Sequence, residues 1–157
     1  MADVPPARGL ARTALYAGLL AGALDIAAAI LQNLEHPAQV ILQSVATGWL
    51  GAAAYEGGWS TAWLGLISHF CIMLGIAAIY VSLAVLSPVL RRRWLIASVV
   101  WGAVVWAVMS FVIVPISAST VEPASAPWPA VQGLITHILA VVLPMAWIVR
   151  RMLDDNR

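Results

Sequence analysis

The sequence predicts an all-α membrane protein, a four-helix transmembrane bundle with an amphipathic or re-entrant helix on its outer face. One observation is the uninterrupted apolar run of 26 residues from Thr61 to Leu86, in which His69 is the one side chain that changes charge near neutral pH. A bilayer core about 30 Å thick needs roughly 20 apolar residues at about 1.5 Å each. The other is the composition, with 62% hydrophobic and 10% charged residues and a mean hydropathy of +0.93. Together they assign residues 1–157 to one integral membrane domain.

The composition also excludes some classes of function. A net charge of +1 is too small to favour nucleic acid as a partner. The single cysteine, Cys71, cannot form a disulfide within the chain. We therefore expect the lipid bilayer as the main surrounding, with a membrane-protein partner or a second copy of the chain as further possibilities.

Four apolar stretches have spanning length, and they cover about residues 10–31, 61–86, 94–114 and 130–149. The first is preceded by arginine and contains Ala21-Gly22-Ala23, so a cleaved signal peptide is an alternative interpretation. Its apolar run continues to Leu31, which favours a retained span. Pro144 in the last stretch predicts a kink.

A further helix is predicted at about residues 37–54, after the turn NLEHP and before Glu56-Gly57-Gly58. Arginine positions decide whether it crosses the membrane. With four spans and the N-terminus inside, every arginine is cytoplasmic, at residues 8, 12, 91–93, 150, 151 and 157, whereas Glu35, Glu56 and Glu122 are outside. A fifth crossing would break this pattern, so we place the 37–54 helix on the outer face, with both termini cytoplasmic in a bacterial inner membrane.

Small residues predict where the helices pack closely. Gly18 and Gly22 form a GxxxG motif in the first span, which lets a second helix approach. Gly65 and Gly133 each lie four residues before a histidine and are further candidate packing positions. Asp25 falls on the same helical stripe as Gly22, so its carboxylate is expected to point into the bundle.

Asp25, His69 and His137 form the candidate site. Counting residues from the outer ends of their spans places all three at a depth of about 9 to 12 Å. Ser110 is close to the same level and is included as a candidate ligand or proton-site residue. Ionisable groups within membranes are costly and usually pair with one another, and histidine changes charge near physiological pH.

Three interpretations of this cluster are open. It is interhelical glue, a proton or small-ligand site, or a haem or metal site held by His69 and His137. The sequence contains no HExxH or CxxCH motif. With no activated nucleophile or paired carboxylates, an enzyme is the least favoured class.

Several stretches carry a family resemblance, namely SHFCIMLGIAAIY, GLITHILAVVLPMAWIVRR and LQSVATGWLGAAAYEGG. The pattern resembles small four-span proteins of the bacterial inner membrane, distantly similar to the YagU-like group. It covers roughly residues 61–151 and depends on His69, Tyr80, Pro88, Pro115, Trp128 and His137. The resemblance implies membrane location and the order of spans, and it implies no activity.

The leading hypothesis is a small non-enzymatic membrane protein with an intramembrane Asp/His cluster that responds to protons or binds a small ligand. One alternative is an accessory subunit of a larger membrane complex. A second alternative is a redox protein in which His69 and His137 hold a haem or a metal.

Overall fold

Every regular element is helical in the parts of the chain that the computed structural model describes, residues 7–121 and 126–154. The helices are α1 (Ala7–Gln32), α2 (Ala38–Leu50), α3 (Gly58–Leu86), α4 (Pro88–Arg92), α5 (Trp94–Ile116) and α6 (Pro127–Asp154). Of these, α1, α3, α5 and α6 are long and apolar enough to cross a membrane. The predicted all-α fold with four spanning helices is confirmed, and the chain is a multi-pass membrane protein.

The four long helices run alternately up and down, so the bundle has two chemically different ends. Arginines at residues 8, 12, 91–93, 150 and 151 lie where α1 and α5 begin and α3 and α6 end. We call this the arginine end. The opposite end carries α2 and the acidic side chains Glu35 and Glu56, and we call it the α2 end. The predicted placements of Glu122 and Arg157 lie outside the described residues.

Helix α2 is too short to cross a bilayer. Its 13 residues span about 20 Å, against the roughly 30 Å of a hydrocarbon core. It ends at residue 50, before the predicted end at 54, because Gly51 takes a positive φ of 58°. A 3₁₀ turn, Gly51–Glu56, then leads back to the start of α3.

The α2 helix is held against α3 by one glycine and one buried amide. A methyl group on Gly65 would overlap the carbonyl oxygen of Leu42, so the two backbones touch there. Gln43 is 2% exposed, and its Nε2 donates to Gly58 O at 2.9 Å and to Thr61 Oγ1 at 3.1 Å. These contacts fix α2 on the bundle without a crossing.

Helix α1 packs between α3 and α6, and α5 packs on the other side of α6. The apolar core lies mainly toward the arginine end, where Tyr80 of α3 and Met145 and Leu153 of α6 are almost fully buried. Alanines on α1, such as Ala17 and Ala21, have no exposed surface and let the helices approach closely. Polar groups and open space are left at the α2 end.

Aromatic and arginine side chains meet at the arginine end. The Arg150 guanidinium carbon lies 5.8 Å from the centre of the Trp94 ring, and that of Arg151 lies 5.7 Å from the Trp147 ring. Arginine over the face of tryptophan is a favourable pair, and both residue types are frequent at membrane surfaces.

Candidate functional site

The contact between α1 and α3 is close enough for side chains to reach the opposite backbone. A methyl group on Gly22 would lie 2.8 Å from Phe70 Cε1, and one on Gly18 would lie 3.0 Å from Leu74 Cα. The GxxxG pair therefore lies in the contact between these two helices. The approach brings the carbonyl oxygen of Gly22 to the imidazole of His69.

His69 is 7% exposed, and the surrounding groups define the role of each ring nitrogen. Its Nε2 lies 2.9 Å from Gly22 O. A backbone carbonyl only accepts, so Nε2 carries a hydrogen and donates it. Nδ1 faces Asp25, with 4.0 Å between Nδ1 and Oδ2. The histidine thus links α3 to α1 through a backbone bond on one side and a carboxyl on the other.

This arrangement admits two distributions of charge. With Nε2 already protonated, a proton on Nδ1 makes His69 an imidazolium that faces the Asp25 carboxylate. If Nδ1 is bare, His69 is neutral. The side chains of His69 and Asp25 are only 8% and 17% exposed, so a charge on one is felt strongly by the other. Gain or loss of one proton changes the attraction between α1 and α3.

His137 brings α6 into the same group. Its Nδ1 donates to Gly133 O, one turn earlier on the same helix, at 2.8 Å. Asp25 lies within electrostatic range of both imidazoles. The structure therefore brings Asp25 into contact with His69 and leaves His137 nearby on α6.

A further polar link lies on the same side of α1 as Asp25. Gln32 Nε2 donates to Thr136 Oγ1 of α6 at 2.7 Å. The predicted first span ends at about residue 31 and leaves Gln32 out, although its position seven residues after Asp25 puts both on one helical face. This seven-residue spacing is the sequence signal that could have added Gln32 to the predicted polar face of α1.

The remaining predicted residues lie around the group rather than in it. Ser110 is on α5, which packs on α6, and within the described ranges no hydrogen bond joins it to Asp25, His69 or His137. Gly133 lies under Trp106 of α5, whose Nε1 would be 3.1 Å from a methyl group there. Gly65 lies against α2 and not against the group.

Two π-helical segments occur beside the candidate residues, each close to a proline. One covers Met109–Ile113 of α5, before Pro115, and the other covers His137–Val142 of α6, before Pro144. Proline lacks an amide hydrogen and crowds the carbonyl four residues earlier, and a wider turn accommodates both effects. Where the sequence predicts a kink at Pro144, the structure has a locally widened helix that begins at His137.

The donor set does not fit a haem or a shared metal. In His69, Nε2 donates to Gly22 O and Nδ1 faces Asp25, so both ring nitrogens already face protein groups. In residues 7–121 and 126–154, no three His, Cys, Asp or Glu side chains gather in an arrangement that could hold a metal ion. The arrangement suits proton exchange and electrostatic coupling between helices.

Comparison with known protein families, with curated proteins and with solved structures found no match. The similarity to the YagU-like group stays a prediction. A function for this chain is therefore inferred from its fold and from the geometry of Asp25, His69 and His137.

Proposed function

We propose that this chain is a non-enzymatic protein of the bacterial inner membrane whose Asp25, His69 and His137 side chains form a proton-responsive site. The supporting observation is the geometry of His69, whose Nε2 is bound to the backbone of α1 while its Nδ1 faces the Asp25 carboxyl. With the histidine held in this way, a change of charge on His69 or Asp25 changes the attraction between α3 and α1.

The proposed orientation places both termini in the cytoplasm. The arginine end would then face the cytoplasm, in agreement with the preference of cytoplasmic segments for Arg and Lys. The α2 end, with the site in its half of the bundle, would face outward. A site at this depth exchanges protons with the outer side more readily than with the cytoplasm.

The bundle offers a simple way to convert proton binding into a change of structure. Helix α1 packs on α3 through Gly18 and Gly22 and on α6 beside His137. An imidazolium attracts the Asp25 carboxylate, and a neutral imidazole does so far less. Protonation therefore changes how tightly α1 is held between α3 and α6.

The direct test is nitrogen NMR of the histidine rings. The protein would be labelled with ¹⁵N-histidine, placed in lipid vesicles and measured between about pH 5 and 8, the range in which histidine charge normally changes. We expect His69 to change protonation in this range and to do so at a different pH in Asp25→Asn. His36 is exposed in the turn before α2, and its ring signals, which should be unaffected by Asp25→Asn, are the internal control.

The proposal fails if His69 stays in one neutral form, protonated at Nε2, across the range in both proteins. That outcome leaves the His69 to Gly22 bond as a structural link between α1 and α3.

A further inference from the structure

A cavity of about 700 Å³ lies at the α2 end, between α2, α3 and the last turns of α5. Farther toward the arginine end α3 and α5 are in contact, with the ring centres of Tyr80 and Trp101 6.3 Å apart. The cavity lies among α3, the end of α5, α2 and residues 117–121. It does not include Asp25, His69 or His137.

The roof of the cavity is tied together by hydrogen bonds between α2 and residues 117–121. Ala118 N donates to Gly48 O at 3.1 Å, and the hydroxyls of Thr47 and Ser119 are 3.2 Å apart. These bonds hold residues 117–121 against α2 along one edge of the cavity.

The sides of the cavity belong to membrane-spanning helices. Ile72 of α3 and Ile113 of α5 both line it and are 36% and 38% exposed. Ile72 lies well inside α3 and Ile113 lies in the last turn of α5, so at the depth of Ile72 the opening meets lipid hydrocarbon. Hydrocarbon chains of the surrounding lipid have direct access.

The lining favours an uncharged occupant with one small polar group. It contains no acidic, basic or histidine side chain among the described residues. Its polar groups include Ser68, whose Oγ accepts a hydrogen bond from Trp49 Nε1 at 3.0 Å. Ser68 donates to no acceptor in the described part of the chain, so its hydroxyl hydrogen is available to a ligand.

The other hydroxyls near this surface are already used. Ser44 Oγ donates to Ile41 O and Ser117 Oγ donates to Val114 O, both at 2.8 Å. A ligand carbonyl or hydroxyl therefore finds its hydrogen-bond donor at Ser68, with apolar walls around it.

We propose that this cavity binds an uncharged single-chain amphiphile from the bilayer, with a carbonyl or hydroxyl head that accepts a hydrogen bond from Ser68. Its hydrocarbon chain lies along Ile72, Met109 and Ile113. The volume is within the range of about 300 to 1,000 Å³ that is usual for small-molecule sites. An ionised head would lose its hydration and gain no counter-charge, which disfavours fatty acids and phospholipids.

Photolabelling with a monoacylglycerol that carries a diazirine in its chain tests this binding. The purified full chain would be reconstituted in phosphatidylcholine vesicles, irradiated and mapped by mass spectrometry. We expect label on the walls of the cavity, and we expect excess unlabelled monoacylglycerol to remove it. A fatty acid of equal chain length, added at a pH where it is ionised, should compete far less.

Variants separate the cavity from the ordinary lipid-facing surface. Ile113→Trp fills the cavity and should abolish the label, whereas Val99→Trp adds the same bulk to the exposed outer face of α5 and should leave it unchanged. Ser68→Ala removes the donor and should weaken binding about 3- to 10-fold. Circular dichroism checks that each variant is folded.

The proposal is wrong if the label is spread along the lipid-facing helices and is not reduced by unlabelled monoacylglycerol. It is also wrong if the ionised fatty acid competes equally well. Both outcomes are read on the unsubstituted protein, so they hold even where a variant does not fold.

Discussion

The interaction free energy between the Asp25 and His69 side chains can be predicted from their separation and burial. Asp25→Asn, His69→Gln and the double variant form a double-mutant cycle, which isolates the interaction between the two side chains. In the structure, Nδ1 and Oδ2 are 4.0 Å apart. At this distance opposite unit charges attract by about 4 kcal/mol at an effective dielectric constant of 20, and by about 1 kcal/mol in bulk water.

The two side chains are mostly buried, which places the expected value toward the higher figure. We predict a coupling of about 2 to 4 kcal/mol at the pH where His69 is an imidazolium and Asp25 a carboxylate. It should fall when the pH is raised and the imidazole loses its charge, or lowered until the carboxylate is protonated. Hydrogen bonds between membrane helices give about 0.6 kcal/mol on average, and at most about 1.7 kcal/mol.

The assay is the free energy of unfolding of the detergent-solubilised protein, measured by titration with sodium dodecyl sulfate and followed by circular dichroism. His36→Gln combined with Asp25→Asn is the matched control, because His36 is exposed outside the spans. Its effects should add. A coupling near 0.6 kcal/mol or less for Asp25 and His69, unchanged at every pH, would refute the electrostatic interpretation.

Three other predictions concern the fold. Gly65→Ala should lower the free energy of unfolding by about 1 to 3 kcal/mol, because the new methyl group meets the backbone of α2. Gly75→Ala is the control: a methyl group there has no atom within 4 Å, so the variant should be neutral or stabilising. Equal effects of the two substitutions would contradict the close packing of α2 on α3. Gln43→Leu should cost about 1 to 3 kcal/mol in the same assay, because it removes the buried hydrogen bonds that join α2 to the start of α3. Reporter fusions after Arg93 and after Ser119 should report opposite sides of the membrane, and the same side for both would disprove the four-span topology.

Much of the fold follows from simple sequence properties. Apolar length locates the four long helices because a bilayer demands it, and arginines then separate the two ends. The helices extend beyond the predicted apolar stretches, as α6 does by running from Pro127 to Asp154. A helix continues into the interface as long as its backbone hydrogen bonds form, whereas the apolar stretch ends with the hydrocarbon.

Part of the candidate site could be predicted from the sequence. Residue counting placed Asp25, His69 and His137 at one depth, and the glycine stripe of α1 indicated which helix face would be close-packed. The role of Gly22 O was not predictable, because a backbone acceptor inside a helix leaves no mark in the sequence. The link from Gln32 to Thr136 depends on how α1 and α6 are aligned.

The cavity could not be predicted from the sequence at all. It depends on the separation of α3 from α5 at the α2 end and on the path of residues 117–121 beneath α2. Its lining alternates with lipid-facing residues of the same apolar character, so composition does not distinguish the two. The π-helical segments have a weak signal in Pro115 and Pro144, which shows that the helix is disturbed but not in what way.

The most direct test of a proton-responsive site is the carboxyl vibration of Asp25, which responds to the charge of its neighbour, read by isotope-edited infrared spectroscopy in lipid vesicles. Aspartate labelled with ¹³C would be compared in the unsubstituted protein, His69→Gln and Asp25→Asn between about pH 5 and 8. We predict that the Asp25 contribution to the labelled carboxyl bands, identified by its loss in Asp25→Asn, shifts with pH as the charge of the neighbouring imidazole changes, and that this shift is reduced in His69→Gln. An Asp25 band that is the same at every pH, with or without His69, would contradict a proton-responsive site.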